Sequence, residues 1–249
     1  MSSSLLNASP DSWRERLRGR VVVVSPHLDD AVMSLGATIA WAAQAGAKID
    51  VLTVFTCIPS SGALAGPWDK SCGYDTEGEQ ATARREEDRQ ACLVLGAQPR
   101  WLNFGAEPYE RRGSEDDIWS AVQAATQEAD LVLLPGFPLL HPDHAFLSEL
   151  LLRKGIAGRR TVLYAEQPYA YTHNMAPQGA EVAPALKPVI GPAISWTRVR
   201  TERAHRQAKL KAVRCYGSQL RRLGLRNIGL YRMLWRERTQ GGEAVAWLS

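Results

Sequence analysis

Residues 20–36 read RVVVVSPHLDDAVMSLG, and this stretch decides the fold. Four consecutive valines make an unbroken β-branched run, which suits a strand covered on both faces better than one with a wet side. A short polar passage, SPHLDD, follows. Apolar residues then recur at helical spacing over residues 31–45, up to Gly46. Strand, tight turn and helix in that order open a parallel α/β unit.

The same alternation continues outward. Residues 49–56 (IDVLTVFT) form a second apolar run, and 82–95 read as a helix closed by Gly96. Strands are expected at 100–104, 131–134 (LVLL) and 161–165 (TVLYA), with helices at 117–128 and at 145–154 before Gly155. Together they predict an α/β fold of three layers, a mostly parallel sheet between two sets of helices. Two long segments, 59–79 and 171–196, interrupt the rhythm and are expected to border a site. Residues 198–220 return to a helical stripe of Ala204, Ala208, Ala212, Tyr216 and Leu220.

A chain of 249 residues, 45% hydrophobic and 22% charged, suits a single domain over residues 1–249 that needs no staple to fold. No apolar run approaches the ~20 residues that cross a bilayer; the best, residues 131–140, is broken by Pro135, Gly136 and Pro138. The opening MSSSLLNASPDSWRERLRGR lacks the pattern of an export signal, so the expected location is cytoplasmic. Cys57, Cys72, Cys92 and Cys215 form no Cys-x-x-Cys pair and are expected as free thiols. The net charge of +4 conceals thirteen Lys and Arg against two acids between Arg198 and Arg238. That basic helical part, from about residue 198, reads as a solvated face, since no nucleic-acid motif accompanies it and no nucleic-acid partner is expected.

The chemistry lies in the histidines. His27 follows the first strand with Asp29 and Asp30 behind it; His141 and His144 follow the fourth strand and bracket Asp143. Ligands of open parallel sheets bind at the carboxyl ends of strands, so the two clusters converge if those strands are neighbours. Either cluster alone has an ordinary explanation, such as an Asp capping the helix that follows. Together they make a metal site. His27 and Asp30, three apart across a turn, can reach one ion, and His144 completes the open three-ligand set that suits catalytic Zn2+, with iron or manganese also compatible. Asp29 is left free beside the metal to take a proton from water.

SPHLDD and LHPDH, each after an apolar strand, resemble the PIG-L/LmbE-like family of zinc N-deacetylases. Arg84, Glu87, Ala91 and Leu95-Gly96 are similar to that family's helix before the third strand; YAEQPYA (164–170) and KLKAVRCYGSQ (209–219) are similar to later segments. The resemblance covers roughly residues 20–220. It implies a Rossmann-like fold, a Zn2+ cofactor on His27, Asp30 and His144, and Asp29 as general base. It further implies that His141 donates to the oxyanion or the leaving nitrogen, with Asp143 orienting it. The expected substrate is a small-molecule amide containing sugar, an N-acetylglucosamine type, losing its acetyl group. Arg84 is a candidate for substrate hydroxyls or, equally, for an ion pair with Glu87 or Asp88. Ala31 stands where the family usually has Glu, and Leu28 where it has Pro, which bears on the substrate's polar contacts.

Rival readings are a related amidase acting on a thiol conjugate or a longer acyl chain, a dinucleotide-binding protein, and a non-catalytic binding module. LDDAVMSLG in place of a Gly-x-Gly-x-x-Gly after the first strand weighs against the dinucleotide.

Overall fold

The computed structural model describes residues 17–58, 62–106, 113–156, 160–177, 181–226 and 228–248. Residues 1–16, on which the absence of an export signal was read, lie outside the described residues. Seven strands form one sheet: β1 (Arg20–Ser25), β2 (Lys48–Thr53), β3 (Gln98–Trp101), β4 (Leu131–Phe137), β5 (Arg160–Ala165), β6 (Trp196–Val199) and β7 (Glu243–Trp247). Their order across the sheet is β3-β2-β1-β4-β5-β7-β6. The first five are parallel; β7 runs antiparallel to both β5 and β6.

The valines of β1 show why the sheet must be covered twice. Val21 and Val23 enter one apolar layer, Val22 and Val24 the other, and all four are buried. Full burial of one such side chain is worth about 1.5–3 kcal/mol, so a strand of this composition stabilises only a sheet with helices on both faces. The first layer holds α1 (Asp30–Gln44) and α2 (Glu77–Leu95); the second holds α3 (Glu115–Thr126) and α4 (Pro142–Lys154). Further along the chain, α5 (Arg203–Val213) and α6 (Ile228–Thr239) return to the first layer.

Helix starts differ from the sequence expectation where capping decides them. α2 begins at Glu77 because the Thr76 hydroxyl accepts from the Glu79 N–H while the Glu79 carboxylate accepts from the Thr76 N–H. Ser114 and Asp117 make the same reciprocal box at α3. The predicted stripe over 198–220 divides: Arg198 and Val199 end β6, α5 stops at Val213, and Gly217–Leu220 is a separate short helix. Strands β6 and β7 are additions to the sequence reading. WTRV and EAVAW are short and carry little periodicity, so pairing with each other and with β5 makes them strands. All four cysteines are free thiols, as their spacing predicts.

The basic part is anchored rather than wholly solvated. Lys209 on α5 is fully buried against α1. Its ammonium donates to Glu237 on α6 at 2.8 and 3.0 Å, to Glu243 on β7 at 2.7 Å and to the Ser34 carbonyl at 3.3 Å. Glu243 in turn accepts from the Ala37 and Thr38 N–H groups and the Thr38 hydroxyl. A side chain at Gly36 would sit 2.8 Å from Lys209 Cγ, so only glycine admits this approach. Removing one partner of a buried charge cluster strands the others. Lys209→Ala is therefore expected to lose about 3–5 kcal/mol of stability, read by urea unfolding; a loss below about 1 kcal/mol would show that the carboxylates find other partners.

Candidate active site

The chain runs β1, β2, β3 toward one edge, then returns to place β4 on the other side of β1. Val21–Val23 of β1 pair with Leu131–Leu133 of β4 at this reversal, where open α/β sheets leave a crevice beyond the strand ends. His27 emerges from β1, and His141, Asp143 and His144 from β4. Glu166 emerges from β5, the other neighbour of β4.

Local hydrogen bonds shape both passages. After β1 the Ser25 hydroxyl donates to the His27 carbonyl at 2.6 Å and accepts from the Ala31 N–H at 3.0 Å. Asp29 occupies the position before α1 without capping it through its side chain. Asp30 instead turns its Oδ2 back to the His27 N–H, at 2.9 Å. After β4, His141 caps α4: its Nδ1 accepts from the Asp143 N–H at 3.2 Å, and Pro142 fills the first helical turn. Nδ1 is thus the unprotonated nitrogen of a neutral ring, and Nε2 carries the proton.

Three side-chain atoms converge. His144 Nε2 lies 3.0 Å from His27 Nδ1 and 3.1 Å from Asp30 Oδ2, and His27 Nδ1 lies 3.4 Å from Asp30 Oδ2. The outer ring nitrogens are also engaged. His27 Nε2 meets Asp143 Oδ2 at 2.9 Å, and His144 Nδ1 meets Glu166 Oε1 in a short contact. Glu166 is fixed further by accepting the Leu139 N–H at 3.0 Å. Asp143, His144 and Glu166 are fully buried, and His27 is only partly accessible. A looser grouping joins His141: its ring, His27 and His144 each offer a nitrogen within 4.8 Å of the others.

The electrostatics favour positive charge at this spot. Burial opposes a charge on His144, yet Asp30 and Glu166 outweigh it and raise its pKa well above the usual value. His27 is likewise raised, by Asp143 and Asp30 against burial. Burial would raise Asp30, but the facing His144 and His27 hold it well below the usual carboxylate range. Asp29 is pushed up to about 6, first by burial and then by the neighbouring Asp30, with Arg84 opposing. His141 is pushed down to about 4 by burial and by its neighbours His27 and His144. Its ring is therefore neutral at pH 7 and its Nε2–H remains a donor.

The predicted residues thus meet at one spot, with two differences from the sequence expectation. Asp143 holds His141 through its backbone, while its carboxylate orients His27. Among the described residues Arg84 makes no ion pair with Glu87 or Asp88; its Nη2 faces Asp29 Oδ1 at 3.9 Å, and its buried Nε has no hydrogen-bond partner there. Glu87 instead binds Ser218, and Asp88 binds Trp101 and Tyr216. Ala31 packs in the apolar layer, so its side chain offers nothing to a ligand. Glu166 was not singled out, although it stands at a strand end in YAEQPYA; only the order of strands reveals that β5 borders β4. Tyr169 sets its ring edge-on to His144, with centroids 5.4 Å apart.

Comparison with known proteins places relatives beside this chain. The family model described as PIG-L, GlcNAc-PI de-N-acetylase, matches residues 22–153. The 2'-N-acetylparomamine deacetylase of Streptomyces fradiae is 34% identical over 180 residues, covering 65% of this chain and 62% of that enzyme's length. The enzyme of the same name from Niallia circulans is 30% identical over 186 residues, covering 61% of this chain and 68% of its own. A solved deacetylase of the A40926 pseudoaglycone superposes with a TM-score of 0.72 at 28% identity, over 93% of this chain and 96% of that one. With its histidine clusters inside the matched region and its sheet shared with a deacetylase, the chain belongs to the PIG-L family of de-N-acetylases.

Proposed function

We propose that this protein is a zinc-dependent hydrolase that removes the acetyl group from the amide nitrogen of an N-acetylated amino sugar within a small glycoconjugate. The observation that carries this reading is the triangle of His27 Nδ1, Asp30 Oδ2 and His144 Nε2, with edges of 3.0 to 3.4 Å. A tetrahedral ion with ligands at ~2.0–2.1 Å has edges of about 3.3 Å, so the donor set fits Zn2+ without rearrangement. Each imidazole also backs onto a buried carboxylate, the arrangement that fixes ring tautomer and increases ligand basicity. The sugar substrate rests on the relatives whose names are 2'-N-acetylparomamine deacetylase.

His27, Asp30 and His144 would hold the zinc, which would supply Lewis acidity toward the acyl carbonyl and the attacking water. The chain's own residues do the rest. Asp29, with a pKa near 6, accepts the proton of the water whose oxygen attacks the acetyl carbon. His141 donates from Nε2–H to the oxygen of that carbonyl as it gains negative charge. The carbon–nitrogen bond then breaks, and Asp29 returns its proton to the departing nitrogen, leaving the free amine and acetic acid, whose remaining water-derived proton passes to solvent or to the amine. Asp143 and Glu166 hold the rings of His27 and His144. Arg84, whose Nε has no hydrogen-bond partner among the described residues, restrains Asp29 and donates to a substrate hydroxyl.

Elemental analysis of the purified protein is expected to find about one zinc per chain, lost in an Asp30→Ala, His144→Ala double variant. Acetate release from N-acetylated amino sugars should follow the metal content; a metal-loaded protein inert toward every such amide, yet active on longer acyl amides, would transfer the reading to that second class. Asp29→Asn is expected to retain zinc and lower kcat by about 10²–10⁴-fold, since it removes the base and leaves the triangle intact. Glu166→Gln is expected to weaken zinc affinity by about 10–100-fold in a chelator competition, and an unchanged affinity would remove Glu166 from the site.

A further inference from the structure

The exposed apolar side chains of α6 lie together. Ile228 is 65% exposed, Tyr231 51% and Trp235 65%. At 100° per residue these three fall within an arc of about 60° on the helix, while Leu230, Met233 and Glu237 on the far side are buried. Arg232 flanks the stripe on one side and Arg238 on the other, both exposed. The turn leading into the helix exposes Arg221, Arg222 and Arg226. Just past the end of α5, the exposed Arg214 lays its guanidinium over the Tyr231 ring at 5.4 Å and bonds its hydroxyl.

Along the stretch of chain that carries this stripe, the exposed charge has one sign. Between Arg203 and Thr239 the sequence contains a single acid, Glu237, and that residue is buried against Lys209. Every other formal charge on the span is a cation. A second copy of the chain would therefore set arginine against arginine across the apolar stripe, a repulsive arrangement. An anionic bilayer surface matches both halves of the pattern. Isoleucine, tyrosine and tryptophan enter the boundary between headgroups and acyl chains, while arginines meet lipid phosphates.

We propose that α6 and the turn before it form a peripheral docking face for anionic phospholipid, with Ile228, Tyr231 and Trp235 inserted and the surrounding arginines on headgroups. No helix among the described residues is long and apolar enough to cross a membrane; the one-sided exposure of α6 is that of a helix lying in the interface. It goes beyond the hydrolase reading and does not require it. The two regions are nonetheless joined: Arg236 on α6 donates to the Tyr171 carbonyl at 3.4 Å, and Tyr171 lies two residues from Tyr169 beside His144.

The test is co-sedimentation of the full chain with vesicles of phosphatidylcholine alone or mixed with phosphatidylglycerol, at low and high salt. Binding is expected to the mixed vesicles, to be at least about tenfold weaker to the neutral ones, and to fall as salt screens the arginines. A triple variant, Ile228→Ser, Tyr231→Ser and Trp235→Ser, should lose about tenfold in affinity with its circular dichroism unchanged. If that variant fails to fold, Arg221→Ala with Arg222→Ala, on an exposed turn, replaces it and should show a similar loss. The proposal is overturned by no binding to anionic vesicles at low salt, by binding that both variants retain, by tighter binding to an RNA oligomer than to the vesicles, or by a dimer in light scattering that the triple variant dissolves.

Discussion

Two imidazole nitrogens and one carboxylate oxygen are held within 3.4 Å of one another on His27, Asp30 and His144. Atoms that all present lone pairs repel unless positive charge lies between them, so the surrounding structure must supply rigidity on every side. The Ser25 hydroxyl ties the turn after β1, and Asp30 takes the His27 N–H. Asp143 and Glu166 take the outer nitrogens from behind, and Glu166 is itself fixed by the Leu139 N–H. The parallel pairing of β1 with β4 sets the distance between the two histidine passages. Each of these contacts serves orientation, and the buried carboxylates add a field that favours positive charge at this spot.

The opening of the fold was readable because its signals are local. Four valines, a polar turn and a helical period lie consecutively, and parallel strands buried on both faces have few other sequences. The histidine clusters were readable for a similar reason, since both follow strands directly. What escaped was whatever depends on which strands are neighbours. Glu166 is an unremarkable acid until β5 is seen beside β4. β6 and β7 are too short for periodicity and become strands only through each other. The true start of α2, at Glu77, was written in the Thr76–Glu79 box but lay in a stretch whose Gly, Ser and Asp content suggested a loop.

Charge was legible in amount and illegible in placement. The excess of cations after residue 198 can be counted from the sequence, yet nothing local distinguishes Lys209 from Lys211. The first is buried among Glu237 and Glu243, the second exposed. Their separation depends on carboxylates brought from α6 and β7, and on a glycine at position 36 that lets α5 approach α1. A cation is affordable inside only where two such partners meet it.

The order of the sheet has a consequence for how the chain is made. β7 inserts between β5 and β6, although β6 precedes it by the whole of α5 and α6. As the chain emerges during synthesis, β1 to β5 can pair in sequence, but β6 has no described neighbour other than β7 and must wait for it. Glu243, the first residue of that last strand, is also a partner of Lys209 and of the α1 backbone. Closing the sheet and completing the carboxylate pair around the buried lysine are therefore one late event, and until it occurs Lys209 has Glu237 as its one carboxylate partner among the described residues.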